Sequence, residues 1–275
     1  MALMHPTPID IAAIKARMRD TWMAGDFGVI ARNIEKLVEE FVERLPIRPG
    51  VRVLDVACGT GNGVIPAARA GATVTGVDIA PNLLEQARTR AEQEGLTADL
   101  REGDAEQLEF ADASFDVVMS TFGAMFAPRP EKAAAELLRV CKPGGLIAMA
   151  NWPATSFAGK IFKITAQHVP PPQDLPAPVL WGDEEVVRQR LGAGAKKITF
   201  ARRTGDSKFP FPPAEVVQLF RTYFGPTQAA FSRLDAAGQA SLAADLENVW
   251  KQDNQATDGT TSVPYEYLEV HAVRD

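Results

Sequence analysis

Between Val53 and Gly63 the chain passes in eleven residues from an apolar run, through Asp55 and Cys58, into three glycines, Gly59, Gly61 and Gly63. Val51, Val53, Leu54 and Val56 suit a strand covered on both faces, and glycines remove side chains where backbone must approach a ligand closely. Pro66 is tolerated only in the first turn of a helix, so a helix is expected from about Asn62, its free N–H groups turned back over the loop. Those donors and the helix dipole favour an anionic group. The pattern is that of a nucleotide-cofactor cradle. A glycine turn between strand and helix can also serve turning alone.

The spacing separates candidate cofactors. A dinucleotide fingerprint would place its third glycine three residues after Gly61, where Val64 stands; the third glycine comes one position early, at Gly63. An acidic residue about twenty positions beyond such a loop should close the second strand and accept from ribose hydroxyls, and Ala72 to Val77 lead into Asp78 on schedule.

With that acid in place, the segment Asp55-Val56-Ala57-Cys58-Gly59-Thr60-Gly61-Asn62-Gly63 resembles the first motif of the class I S-adenosylmethionine-dependent methyltransferases. Val77 to Leu84 is similar to the second motif, Gly103 to Phe110 to the third, Ser114 to Val118 to the fourth strand, and Leu137 to Gly145 to the helix, turn and fifth strand. Four motifs in order make the resemblance specific over roughly residues 45 to 152, nearest in style to quinone-biosynthesis C-methyltransferases. It implies S-adenosylmethionine as cofactor and S-adenosylhomocysteine as product. By resemblance, Ala57, Gly59, Thr60 and Gly61 pass close to the methionine and ribose portions, and Asp55 serves the amino end. Asp78 takes the ribose hydroxyls, Ile79 and Ala105 flank adenine, Asp104 orients its amino group, and Ser120, Thr121 and Phe122 face the methyl donor.

Acceptor contacts are weaker expectations. Trp22 and Phe27 could staple two N-terminal helices together or close over the cofactor; Phe126 could line the core, a lid or the acceptor pocket. His168 could act as a general base, although a lone histidine beside a proline loop is commonly just exposed. Cys58 alone is no nucleophile motif, and Lys142-Pro143-Gly144-Gly145 is expected to be a structural turn.

The elements that must position these groups follow from periodicity. Residues 9–24 and 27–45 are expected to be helices, the second repeating Ile30, Ile34, Leu37, Val38, Phe41, Val42 and Leu45 at helical spacing. Strands near 51–57, 73–78, 98–103, 115–121 and 144–151 alternate with helices near 62–71, 81–94 and 130–141. That alternation predicts an α/β, Rossmann-like, doubly wound sheet. By resemblance it has seven strands, parallel except for one antiparallel strand. Beyond Trp152 we expect a loop-rich stretch with a stiff proline connection at 170–178, a helix near 183–191, a strand near 196–203, helices near 213–224 and 232–252, and a last strand at 264–273. The domain reading is a helical cap over 1–45 and a methyltransferase domain over 46–275, with a helical insertion at about 204–262 covering the site.

Composition narrows the rest. With 275 residues, 46% of them hydrophobic, the chain can bury one enlarged core. Its 29 basic and 35 acidic residues give a net charge of −6 with no basic run to track a phosphate backbone, which argues for a small-molecule acceptor and against nucleic acid. Two cysteines are too few for a disulfide framework or zinc site, so no metal is expected. Without a leader-like N-terminus or a spanning apolar stretch, a cytoplasmic protein is expected. The competing readings are an NAD-dependent oxidoreductase, a non-catalytic S-adenosylmethionine-binding protein, and a protein or nucleic-acid methyltransferase. The last is disfavoured because the fourth strand leads into Ser120-Thr121-Phe122-Gly123 and not an Asn/Asp-Pro-Pro-Tyr/Phe tetrapeptide.

Overall fold

A computed structural model describes residues 10–172 and 175–275. The leader-like question at the N-terminus, the first residue of the helix expected from position 9, and positions 173–174 of the proline connection lie outside those residues.

Helices α1 (Ile11–Met23), α2 (Phe27–Ala31) and α3 (Glu35–Glu43) come first, followed by β1 (Arg52–Val56), α4 (Val64–Arg69), β2 (Thr73–Asp78), α5 (Pro81–Gln93) and β3 (Asp99–Glu102). Then come β4 (Phe115–Thr121), α6 (Pro130–Val140), β5 (Cys141–Asn151), α7 (Phe157–His168), α8 (Glu184–Leu191) and β6 (Ala195–Phe209). The chain ends with α9 (Pro213–Tyr223), α10 (Gly225–Ser232), α11 (Ala236–Asp253) and β7 (Thr261–Arg274).

The seven strands lie in the order β3-β2-β1-β4-β5-β7-β6, and β7 alone runs antiparallel to its neighbours β5 and β6. The central strands are apolar without alternation because helices cover both faces: Val53, Leu54 and Val56 in β1, and Val118 and Met119 in β4, are fully buried. The strand order reverses between β1 and β4, which opens a crevice at their carboxyl ends where a ligand can settle.

A second, smaller core forms beyond the sheet, where Phe209, Val216, Val217, Phe231, Leu242, Leu246 and Trp250 pack together. Trp250 anchors it, with ring centroids 4.4 Å from Phe157 and 5.4 Å from Phe209.

Several boundaries differ from expectation. The helix expected over 27–45 is broken by a tight 3-10 turn at Arg32–Ile34. Residues Phe157–His168, expected as loop, are helical: Ser156 caps the start by accepting from the Gly159 N–H at 3.1 Å. The Lys142-Pro143-Gly144-Gly145 turn lies inside β5, where pairing with β4 jumps from Phe115↔Cys141 to Val117↔Leu146, so it is a bulge and not a free turn. The expected insertion at 204–262 begins too early and ends too late, because β6 and β7 continue as a paired ribbon to Phe209 and from Thr261, with three helices between them and not two.

Candidate functional site: the cleft at the β1 and β4 carboxyl ends

The loop after β1 is held in a costly conformation. Ala57 takes φ 56° with a side chain, Gly59 φ 52° and Gly61 φ 84°; across the crevice Phe122, just after β4, takes φ 58°. Such angles in non-glycine residues store strain that surrounding structure must over-determine. Here the two loops clamp each other: a Cβ on Gly123 would sit 2.4 Å from the Ala57 carbonyl oxygen.

Two carboxylates organise the floor. Asp78, at the end of β2, accepts from the Gly59 N–H at 2.8 Å and from the Ala80 N–H at 2.9 Å, one bond to each oxygen, and it lines the cavity. Each oxygen keeps a lone pair for ligand hydroxyls. Burial pushes its carboxyl above the usual range, and the backbone donors partly restore it. Asp55 is fully buried, and neither of its oxygens has a hydrogen-bond partner among the described residues. Burial, then the neighbouring Asp78 charge, push its carboxyl well above the ordinary value. An orphaned buried carboxylate beside a glycine loop fits a cationic ligand group approaching that loop.

Asp55 also accounts for the early third glycine. A Cβ on Gly63 would stand 2.6 Å from Asp55 Oδ2 and 3.0 Å from Met119 Cε, so the helix start must be bare to pack on the strands beneath it. Gly59 faces the ligand side, where an added Cβ would meet nothing nearer than Phe27 Cε1 at 3.8 Å.

The cavity and its open mouth together span about 930 Å³ of atom-free space. Ala57, Gly59, Thr60, Asp78, Ile79, Asp104, Ala105, Thr121 and Phe122 line it, together with Trp22, Phe27 and Phe126. Three expected cofactor residues stand behind that wall. Gly61 turns toward Ala87, 3.1 Å from its would-be Cβ; Asp55 lies beneath the loop; and Ser120 pins loops together, donating to the Val56 carbonyl at 2.7 Å and accepting from the Ala124 N–H at 3.0 Å. His168, expected as an acceptor contact, is likewise absent from the wall: its Nε2 lies 2.7 Å from Asp245 Oδ2, joining α7 to α11. Cys58 does line the cavity, but burial and the carboxylates of Asp55 and Asp78 raise its thiol well above the ordinary range, the wrong direction for a nucleophile. Among the described residues, no three histidine, cysteine or carboxylate side chains are grouped to hold a metal ion.

The roof comes from the N-terminal helices. Trp22 makes edge contacts with Phe27 (5.4 Å), Phe126 (5.1 Å) and Phe224 (5.8 Å), while Phe122 stacks on Trp152 at 3.9 Å. Asn62 ties roof to loop, its Nδ2 donating to the Ala31 carbonyl at 2.9 Å. Residues that sequence reasoning missed, among them Lys15, Met18, Ile34, Val38 and Asn62, line the same cavity. Most sit on helices whose apolar periodicity is the same whether it faces a core or a ligand.

Comparison with known proteins agrees with this architecture. Residues 54–149 match the family model described as a methyltransferase domain. Rv1405c, an uncharacterized protein of Mycobacterium tuberculosis, is 40% identical over 237 residues, 85% of this chain and 85% of that protein. Demethylmenaquinone methyltransferase of Renibacterium salmoninarum is 43% identical over 109 residues, 40% of this chain and 44% of the enzyme. Among solved structures, a phosphoethanolamine N-methyltransferase of Haemonchus contortus, in complex with phosphomonomethylethanolamine and S-adenosylhomocysteine, superposes with a TM-score of 0.54 at 21% identity, over 87% of this chain and 52% of that one. No described helix is long and apolar enough to cross a membrane. Strand order, strained glycine loop, closing acid on β2 and family match agree: the chain belongs to the class I S-adenosylmethionine-dependent methyltransferases and is an enzyme of that kind.

Proposed function

We propose that this methyltransferase acts on a small, largely apolar, ring-bearing acceptor. The observation that carries the reading is the aromatic lining of the cavity. Trp22 packs edge-on against both Phe27 and Phe126, and these three rings line the cavity together with Phe122.

When bound, S-adenosylmethionine supplies a methyl group on a sulfonium that is already a good leaving group. The residues' work is therefore to bind, orient and exclude water. Asp78 would accept from the ribose hydroxyls, Ile79 and Ala105 would flank the adenine, Asp104 would accept from its amino group, and Asp55 would balance the charge of the amino end. Thr121 and Phe122, at the end of β4 and on the cavity wall, would face the methyl group. Holding acceptor and methyl in line can account for roughly 7–11 kcal/mol of barrier lowering through proximity. Among the described residues, the ionisable side chains lining the cavity are Lys15, Cys58, Asp78 and Asp104, and each has a partner, a cofactor role or a thiol held protonated. None is free as a general base. An acceptor that brings its own acidic nucleophile, such as a phenol or quinol ring, suits such a site. The N-terminal helices α1, α2 and α3, with the helices between β6 and β7 packed behind them, would act together as its cover.

Calorimetry with S-adenosylhomocysteine and NAD, followed by turnover assays on phenols and quinols, alkylamines, a peptide and an oligonucleotide, tests the reading. We expect S-adenosylhomocysteine binding without NAD binding, and methylation confined to the ring compounds. Turnover confined to amines, peptide or oligonucleotide would overturn it.

A further inference from the structure

Lys15 is the one cation among the described residues lining the cavity, and it comes from α1, far in sequence from the loops that build the floor. Its Nζ lies 2.5 Å from Asp104 Oδ2 and 2.5 Å from Glu106 Oε2. The Lys15 side chain is 17% exposed, that of Glu106 0% and that of Asp104 31%. Fixing a lysine in a partly buried place gives up much of its rotamer freedom, so the position calls for a reason beyond a surface ion pair.

The surrounding bonds define what Lys15 holds. Glu106 is bound twice by Arg129, whose backbone N–H donates to Oε1 at 2.6 Å and whose Nε donates to Oε2 at 2.7 Å. Among the described residues Asp104 has no second cation; its other anchor is the Glu106 N–H, donating to Oδ1 at 2.8 Å. Lys15 and Arg129 together balance the two carboxylates. Without Lys15, Glu106 would keep Arg129, while Asp104 would stand beside a like charge on one backbone bond and turn toward water. With Lys15 in place, each Asp104 oxygen has one protein donor and a lone pair left for a ligand N–H.

We propose that Lys15 is a cofactor-positioning residue, which fastens the N-terminal helix across the cavity and holds the Asp104 carboxylate aimed at the exocyclic amino group of the cofactor's nucleobase. The inference rests on the reading of Asp104 as the nucleobase acceptor. It makes α1 part of the cofactor site.

The test compares the binding of S-adenosylhomocysteine with that of its 6-oxo counterpart, S-inosylhomocysteine, to the full chain by calorimetry, for wild type, Lys15→Met, Lys15→Arg and Asp104→Ala. Wild type should prefer the amino compound by roughly tenfold or more, the scale of one hydrogen bond to a charged group. Lys15→Met should lose most of that preference with little change in affinity for the 6-oxo compound, and Lys15→Arg should retain it. Thermal melts of the variants check that each is folded. If Lys15→Met keeps the full preference while Asp104→Ala loses it, Lys15 merely braces α1 and the proposal fails with the Asp104 reading intact. If wild type shows no preference, or Asp104→Ala keeps it, the Asp104 reading fails and the proposal with it.

Discussion

At the scale of single residues, the Asp55 carboxylate combines complete burial, two unbonded oxygens and a proton affinity raised by burial and by Asp78. A ligand cation placed near it favours the ionised form, so binding should expel a proton. The sign follows: because the carboxyl of the free protein titrates above its ordinary value, the Kd for S-adenosylhomocysteine should fall as pH rises through that titration. Asp55→Asn should flatten the slope and weaken binding at pH 8 by roughly tenfold. Calorimetry in two buffers of different ionisation enthalpy measures the proton count; equal counts for wild type and Asp55→Asn would remove Asp55 from the ligand's reach. Much of this neighbourhood was legible in the sequence, since Asp78 and Gly59 stand at motif spacing. The exchange of hydrogen bonds between them, and the reason Gly63 must be glycine, depend on distances between strands that spacing does not contain.

At the scale of elements, the roof helices α1 and α2 are braced from outside the cavity by α9 and α10, about 200 residues further along the chain. The Asp26 N–H donates to the Tyr223 carbonyl at 3.2 Å, and a Cβ on Gly225 would fall within 1.8 Å of the Thr21 carbonyl oxygen, so the two parts meet backbone to backbone. Trp22 sits at the junction, touching Phe27 of α2, Phe126 beyond β4 and Phe224 between α9 and α10. Each of the three aromatic pairs is worth about 0.5–1.5 kcal/mol, so Trp22→Ala should destabilise by roughly 1.5–4.5 kcal/mol. The loss should be local: amide exchange in α1 should accelerate by far more than in β1, and the acceptor's KM should rise. Uniform exchange changes across the chain would show that Trp22 is an ordinary core residue. The helix α7 escaped sequence reading because prolines and small residues flank a short amphipathic stretch, and the face it buries belongs to a second core that no motif announces.

At the scale of the whole molecule, Glu269 stitches helix α3 to the far edge of the sheet. Its carboxylate, 3% exposed on β7, receives Arg44 Nη2 at 2.7 Å and Arg203 Nε at 3.2 Å, with His271 Nε2 at 3.3 Å. Burial alone would raise the carboxyl, but His271, Arg44 and Arg203 outweigh it and hold it at about 2, against an ordinary 4.5. For a depressed carboxyl the stabilisation is complete above the ordinary value and is lost as pH falls from 4.5 toward 2. The shift corresponds to on the order of 3 kcal/mol at neutral pH. Urea titrations should therefore show Glu269→Gln less stable than wild type by about 1–3 kcal/mol at pH 7, the gap closing on acidification. A gap independent of pH would mean that the loss is one of packing.

Sequence alone determined the cofactor class and the parallel half of the sheet, because strand periodicity, glycine spacing and the acid closing β2 are local patterns, readable one segment at a time. It did not determine the cover. Only the tertiary structure decided that Lys15 reaches Asp104, that Ser120 and Gly61 brace the loop from behind, and that Trp22 meets Phe224. These contacts join segments distant in sequence, and a side chain's partner across such a distance is set by how the helices pack and not by any pattern along the chain.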